Sequence, residues 1–128
     1  MESPLRAGSD DPGLRLIETA LWDGAACPRL DGHLARLARG AAALSWPCDP
    51  DAARAALAGT AGQAMRLRLT LDRAGRLEIT RAALPPSPAL WRLGLAGTRL
   101  DAADPWLRLK TTRRAHYDAA RAALPAGL

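Results

Sequence analysis

Seventeen arginines and a single lysine, Lys110, make up the side-chain cations of this 128-residue chain. The two residue types differ in chemistry: a guanidinium stays charged, whereas an amine can shed its proton and act as a nucleophile or base. A lone lysine in an arginine-biased chain therefore marks a place where an amine could be required. The plain alternative is drift in a chain whose Ala, Arg, Leu, Gly and Pro richness suggests a G+C-biased gene. Three other residues could join such chemistry. Glu18 stands in an apolar run, where a carboxylate needs a partner. His33 and Arg36 are three residues apart, a spacing that puts them together on one flank of a helix. The alternative for Arg36 is a guanidinium snorkelling from a helix edge. Cys27 and Cys48 read as free thiols, since the N-terminus has no secretory pattern. With only His33 and His116 to assist them, no metal site is expected.

The elements that must position these groups can be read from periodicity. Residues 1–13 form a loose Gly/Asp/Ser/Pro-rich lead-in. From Leu14 to Trp22 both faces of an extended run are apolar, which predicts an interior strand carrying Glu18. Asp31 to Leu44 predicts a helix capped by Asp31, with Leu30, Leu34, Leu37, Ala41 and Leu44 on its core stripe. Asp49 as cap, Pro50 at the first position and Gly59 past the end delimit a second, Ala-rich packing helix. Met65–Asp72 and Arg76–Ala82 alternate as a hairpin around Asp72-Arg73-Ala74-Gly75. Trp91–Ala96 predicts a further strand, with Trp91, Leu93 and Leu95 on one face. Leu107 and Leu109 alternate with Trp106, Arg108 and Lys110 in a short extended run. Thr111 or Thr112 would then cap a closing helix running to about Leu124, stopped by Pro125 and Gly127. The sum is an α+β domain: a mainly antiparallel sheet with flanking helices, and Lys110 at a strand–helix junction.

Composition sets the outer bounds. The chain is 48% apolar, with a net charge of +5 and an isoelectric point near 10.5. That charge raises nucleic-acid binding, but the arginines are scattered among aliphatics without a basic block or an aromatic ladder, so nucleic acid is not an expected partner. No run approaches the roughly 20 apolar residues of a membrane span. A cytoplasmic protein is expected.

The order of Leu16-Ile17-Glu18-Thr19, then His33-Leu34-Ala35-Arg36-Leu37, then Lys110-Thr111-Thr112-Arg113 resembles the class IV aminotransferases, the fold-type IV pyridoxal-phosphate enzymes. The likeness runs from about Leu14 to the end of the chain and implies residues 14–128 to be the N-terminal α+β domain of such an enzyme. Carried over by position, Lys110 matches the lysine that bonds the cofactor pyridoxal 5'-phosphate and serves as catalytic base. Arg36 matches the arginine that grips the cofactor phosphate. His33 is left structural, and Tyr117, seven positions beyond Lys110 on a shared helix face, and Arg114, four positions beyond it, would be neighbours of the cofactor. Members normally continue into a segment whose glutamate binds the pyridine nitrogen and a second domain, so the resemblance implies that a C-terminal domain is absent here. It implies an amino-acid or aminodeoxychorismate-like substrate and a homodimer. A 4-amino-4-deoxychorismate lyase, which makes 4-aminobenzoate and pyruvate in folate biosynthesis, is favoured slightly by the short N-terminal region. The alternatives are a branched-chain or D-amino-acid aminotransferase, or a non-catalytic domain or fragment without cofactor.

Overall fold

The computed structural model describes residues 11–125. Three strands, β1 (Leu16–Trp22), β2 (Met65–Leu71) and β3 (Leu77–Ala83), form one antiparallel sheet in the order β1-β2-β3. Two helices, α1 (Leu30–Leu44) and α2 (Pro50–Ala56), connect β1 to β2. A 3₁₀ turn (Pro105–Arg108) and a last helix, α3 (Ala115–Ala122), follow the sheet. The architecture is α+β, as expected. Residues 1–10 of the lead-in and Gly127 of the stop signal lie outside the described residues.

Strand alternation builds the core. In β2, Met65, Leu67, Leu69 and Leu71 are all buried while Arg66 and Arg68 face out. The register sets Leu69 between Glu18 on one side and Ile79 on the other, and Leu71 between Leu16 and Leu77. Leu37, Ala41 and Leu44 of α1 and Ala53 of α2 close over this face. The hairpin turn is as the sequence predicts. Asp72 Oδ1 accepts from the amides of Ala74 (2.9 Å) and Arg76 (2.8 Å). Gly75 takes a left-handed φ of 86°, which suits a residue without Cβ. Asp49 caps α2, accepting from Asp51 N at 3.0 Å and Ala52 N at 3.2 Å with Pro50 next in line.

Five expectations are corrected. β1 is not the central strand: β2 holds that place, and β1 is met on its other side only near its start, by an isolated antiparallel bridge from Leu16 to Thr111. Its second apolar face is explained by Ile17, which is buried there. Helix α1 starts one residue earlier than predicted, with Arg29 rather than Asp31 at the cap position, because Leu30 already packs on the core. Asp31 thereby falls in the first helical turn, where a carboxylate suits the helix dipole, and pairs with Arg54 at 2.9 Å. Trp91–Ala96 forms no strand, since no neighbouring backbone pairs with it among the described residues. The Trp106–Arg108 stretch is a 3₁₀ turn, not extended, because Asp104 accepts from Trp106 N at 2.9 Å with Pro105 between them, repeating the Asp49-Pro50 signature. Neither threonine caps α3: Thr111 Oγ1 accepts from Arg113 N (3.0 Å) and Thr112 Oγ1 from Arg15 N (3.0 Å), so the helix begins later, behind Arg114, and ends at Ala122, short of Leu124.

Candidate functional site

β1 is the spine on which the candidate residues assemble. Glu18 points from it into the helix-covered layer and is only 1% exposed, the one charged residue buried to that degree among those described. Its two oxygens are met by α1. Arg36 donates from Nε to Oε2 and from Nη2 to Oε1, both at 2.8 Å, and His33 Nδ1 lies 2.7 Å from Oε1. The fork-on-fork geometry matches the planar guanidinium to the planar carboxylate. Glu18 in turn keeps Arg36 more firmly protonated than a free arginine, chiefly through this hydrogen bond and then through its charge. The helical spacing that pairs His33 with Arg36 in sequence is thus what lets both reach one carboxylate on the facing strand.

Lys110 is tied to the same strand from the opposite end of the chain. Its carbonyl accepts from Ile17 N at 2.8 Å, next to Glu18, and Thr112 N donates to Arg15 O at 2.9 Å. The amine is half-buried and held below the usual lysine range. Burial is the main cause. The Glu18 carboxylate opposes it, and the Arg36 and Arg114 guanidinia reinforce it. An amine so placed gives up its proton more readily than a solvated one, which is the property a nucleophile or general base needs.

A cleft of about 300 Å³ runs along α1, lined by Arg29, Gly32, His33, Arg36 and Arg39. Three guanidinia around one hollow make it a place for an anion. Arg29 and Arg39 do not stand out in the sequence by type, although positions 29, 33, 36 and 39 recur at helical spacing and carry that signal.

The structure brings Lys110 and Arg36 into one electrostatic neighbourhood and adds Arg114 to it. Tyr117 does not share a helix face with Lys110, because the helix begins at Ala115. Its ring lies 3.9 Å from that of His116, with the Arg114 guanidinium 5.6 Å above it. His116 Nε2 is buried without a hydrogen-bond partner. Cys27 and Cys48 are free, and no group of three or more metal-capable side chains forms among the described residues. No described helix is long and apolar enough to cross a membrane.

A family model, amino-transferase class IV, matches residues 15–126. The chain belongs to the class IV aminotransferase family. A solved structure from Mesorhizobium loti, that of a "Putative amino-acid aminotransferase", is 41% identical and superposes with a TM-score of 0.75. The match covers 88% of this chain and 57% of the Mesorhizobium loti chain, so the present chain spans a little over half of that protein's length. No curated protein matches the class IV chain.

Proposed function

We propose that this chain provides the amine and the phosphate anchor of a pyridoxal-phosphate site, with Lys110 as the nucleophile and general base and Arg36 as the anchor. The observation that carries the reading is the lone lysine, made less basic by burial and tied by its carbonyl to β1 next to Glu18, the carboxylate that clamps Arg36. The donor set fits the group. Pyridoxal phosphate offers an aldehyde for an amine and a dianionic phosphate for guanidinia. The cleft beside Arg36 supplies two further arginines, Arg29 and Arg39. Two of the donor nitrogens of Arg36 are engaged by Glu18, which leaves Nη1 for the phosphate.

When bound, the cofactor supplies a conjugated ring that withdraws electron density from the substrate's α-carbon. The residues of this chain have the complementary tasks. The Lys110 amine would hold the cofactor through its aldehyde, and its Nζ would be the base that takes a proton from the substrate's α-carbon. Arg36 holds the phosphate end so that the reacting end stays in register with Lys110. Arg114 adds positive charge near the amine. Tyr117 is proposed only as a wall at the edge of the site.

The substrate class follows as an amino acid, in line with the activity ascribed to the Mesorhizobium loti relative. Elimination of pyruvate from aminodeoxychorismate is the second reading within the same family. Both use the same lysine. The family resemblance supports a homodimer, and the partner of the pyridine nitrogen is proposed to come from a further C-terminal domain.

The test is borohydride reduction of the chain mixed with pyridoxal phosphate, followed by peptide mapping. A yellow complex and a stable adduct on the peptide containing Lys110 are expected, and Lys110→Arg should abolish both, because guanidinium cannot replace the amine. An intact chain whose Lys110 peptide carries no adduct refutes the assignment. Arg36→Gln should weaken binding of pyridoxal phosphate much more than binding of pyridoxal, which lacks the phosphate.

A further inference from the structure

Glu18 has no part in the chemistry above, yet it is the most enclosed charge in the described structure. A carboxylate in an apolar layer is tolerated only when its oxygens are fully bonded. Here the bonding is lavish: two donors from Arg36 and the His33 ring, all within 2.8 Å. Arg36 itself is 42% exposed at its side chain, so water alone could solvate it. The strand residue next to Glu18 carries the backbone bond to Lys110. Arg36 from α1 and Lys110 therefore share the neighbourhood of one carboxylate, with His33 on the same oxygen as Arg36 Nη2, while Arg114, paired with Asp118, acts on Lys110 from ahead of α3.

We propose that Glu18 is the positioning residue of this site: its buried carboxylate locks the guanidinium of Arg36 by two nitrogens and balances its charge, so that a second basic group, Lys110, can lie beside it. The inference rests on the reading of Lys110 and Arg36 as the reactive pair, and it assigns to His33 the role of third support for the carboxylate. Clamping Nε and Nη2 fixes the plane of the guanidinium and leaves one nitrogen to turn toward the arginine-lined cleft. Without the carboxylate, Arg36 would be free to rotate, and Lys110 would face its uncompensated guanidinium in addition to Arg114, which keeps Asp118 at 3.8 Å. Both the loss of a nearby anion and the unmasking of Arg36 disfavour the ammonium form, so the two effects have the same sign.

The lone lysine makes the test direct. Growth on ¹³C-labelled lysine labels one residue, and its side-chain carbon signal can be followed through a pH titration of the intact 128-residue chain. In Glu18→Gln the midpoint of Lys110 is expected to fall by about 0.5 or more in pH. Glu78→Gln, an exposed carboxylate on β3, should leave it in place. The Arg36 Nε proton should also exchange faster with water in Glu18→Gln. A folded Glu18→Gln chain with an unmoved Lys110 midpoint overturns the proposal, because a purely structural carboxylate would alter stability alone. Should Glu18→Gln fail to fold, the doubly neutral Glu18→Gln/Arg36→Gln chain leaves neither a buried unpaired carboxylate nor an unpaired guanidinium. Its Lys110 midpoint is expected at or below that of the unaltered chain, and a midpoint above it overturns the proposal. The titration uses no cofactor, so a failure of borohydride trapping and a failure here are separate results.

Discussion

The leucines of β2 and those of residues 90–95 have the same alternating spacing and opposite fates. Leu67, Leu69 and Leu71 are wholly enclosed, whereas Leu93 is 86% and Leu95 104% exposed, with Trp91 at 72% beside them. Alternation specifies which side chains share a face, and both segments have it. A strand also needs neighbouring backbone for its amides and carbonyls and a layer against its apolar face. β2 has a strand on each side and two helices above it; residues 90–95 have neither among the described residues. The contrast shows that periodicity is a statement about one face of one segment, while becoming a strand is a statement about its surroundings.

Deletions of equal chemistry can break that contrast. Leu69→Ala should cost about 3 kcal/mol, from lost burial and the cavity left in the sheet centre, measured as a lower denaturant midpoint at unchanged slope. A cost under about 1 kcal/mol would mean the core collapses freely around the gap. Gly59→Ala probes the same body from the side of overpacking. Its new methyl would meet the Trp22 ring at 2.5 Å and Met65 Sδ at 2.8 Å. A stiff ring cannot yield as a leucine tip can, and a loss of about 1–3 kcal/mol is expected. Asp49→Ala removes the cap of α2 and should cost about 1 kcal/mol, read from the same unfolding curves. At the small end, Leu95→Ala should change stability by no more than about 0.5 kcal/mol in either direction. A value like that of Leu69→Ala would place Leu95 in a contact and erase the distinction between the two regions.

The legible parts of the sequence are those in which local pattern and local environment agree. The hairpin needs only its own alternation and the Asp72–Gly75 turn, and α2 only Asp49-Pro50. Glu18 is legible as a problem, a carboxylate in an apolar strand, and the spacing of His33 and Arg36 holds its solution. Their meeting is not legible, because it depends on how α1 lies across β1. Gly40 permits that approach, since a Cβ there would come within 2.9 Å of Leu16 Cδ2. Thr111 and Thr112 defy their local pattern for a similar reason. A hydroxyl before a helix can cap it, but the antiparallel contact with β1 recruits Thr112 to Arg15 and delays the helix. Lys110 stands out by residue type alone, whereas its low basicity comes from burial and from neighbours distant in sequence.

The bonds from Ile17 to Lys110 and from Arg15 to Thr112 join the first strand of the described chain to the segment just ahead of its last helix. Closing a loop of that length carries an entropic cost of roughly 4 kcal/mol before any contact compensates for it. The β2–β3 hairpin closes through a tight turn, whereas β1 meets β2 across a loop about half as long as this one, a saving of only about 0.6 kcal/mol. By loop length alone, the β2–β3 hairpin is expected to form first and the contact of residues 110–112 with β1 last. During synthesis the chain would leave the ribosome with Glu18 and Arg36 already paired and would wait for the lysine. The same order in reverse makes peeling of the C-terminal segment the least costly way to dismantle the site while the sheet stays intact.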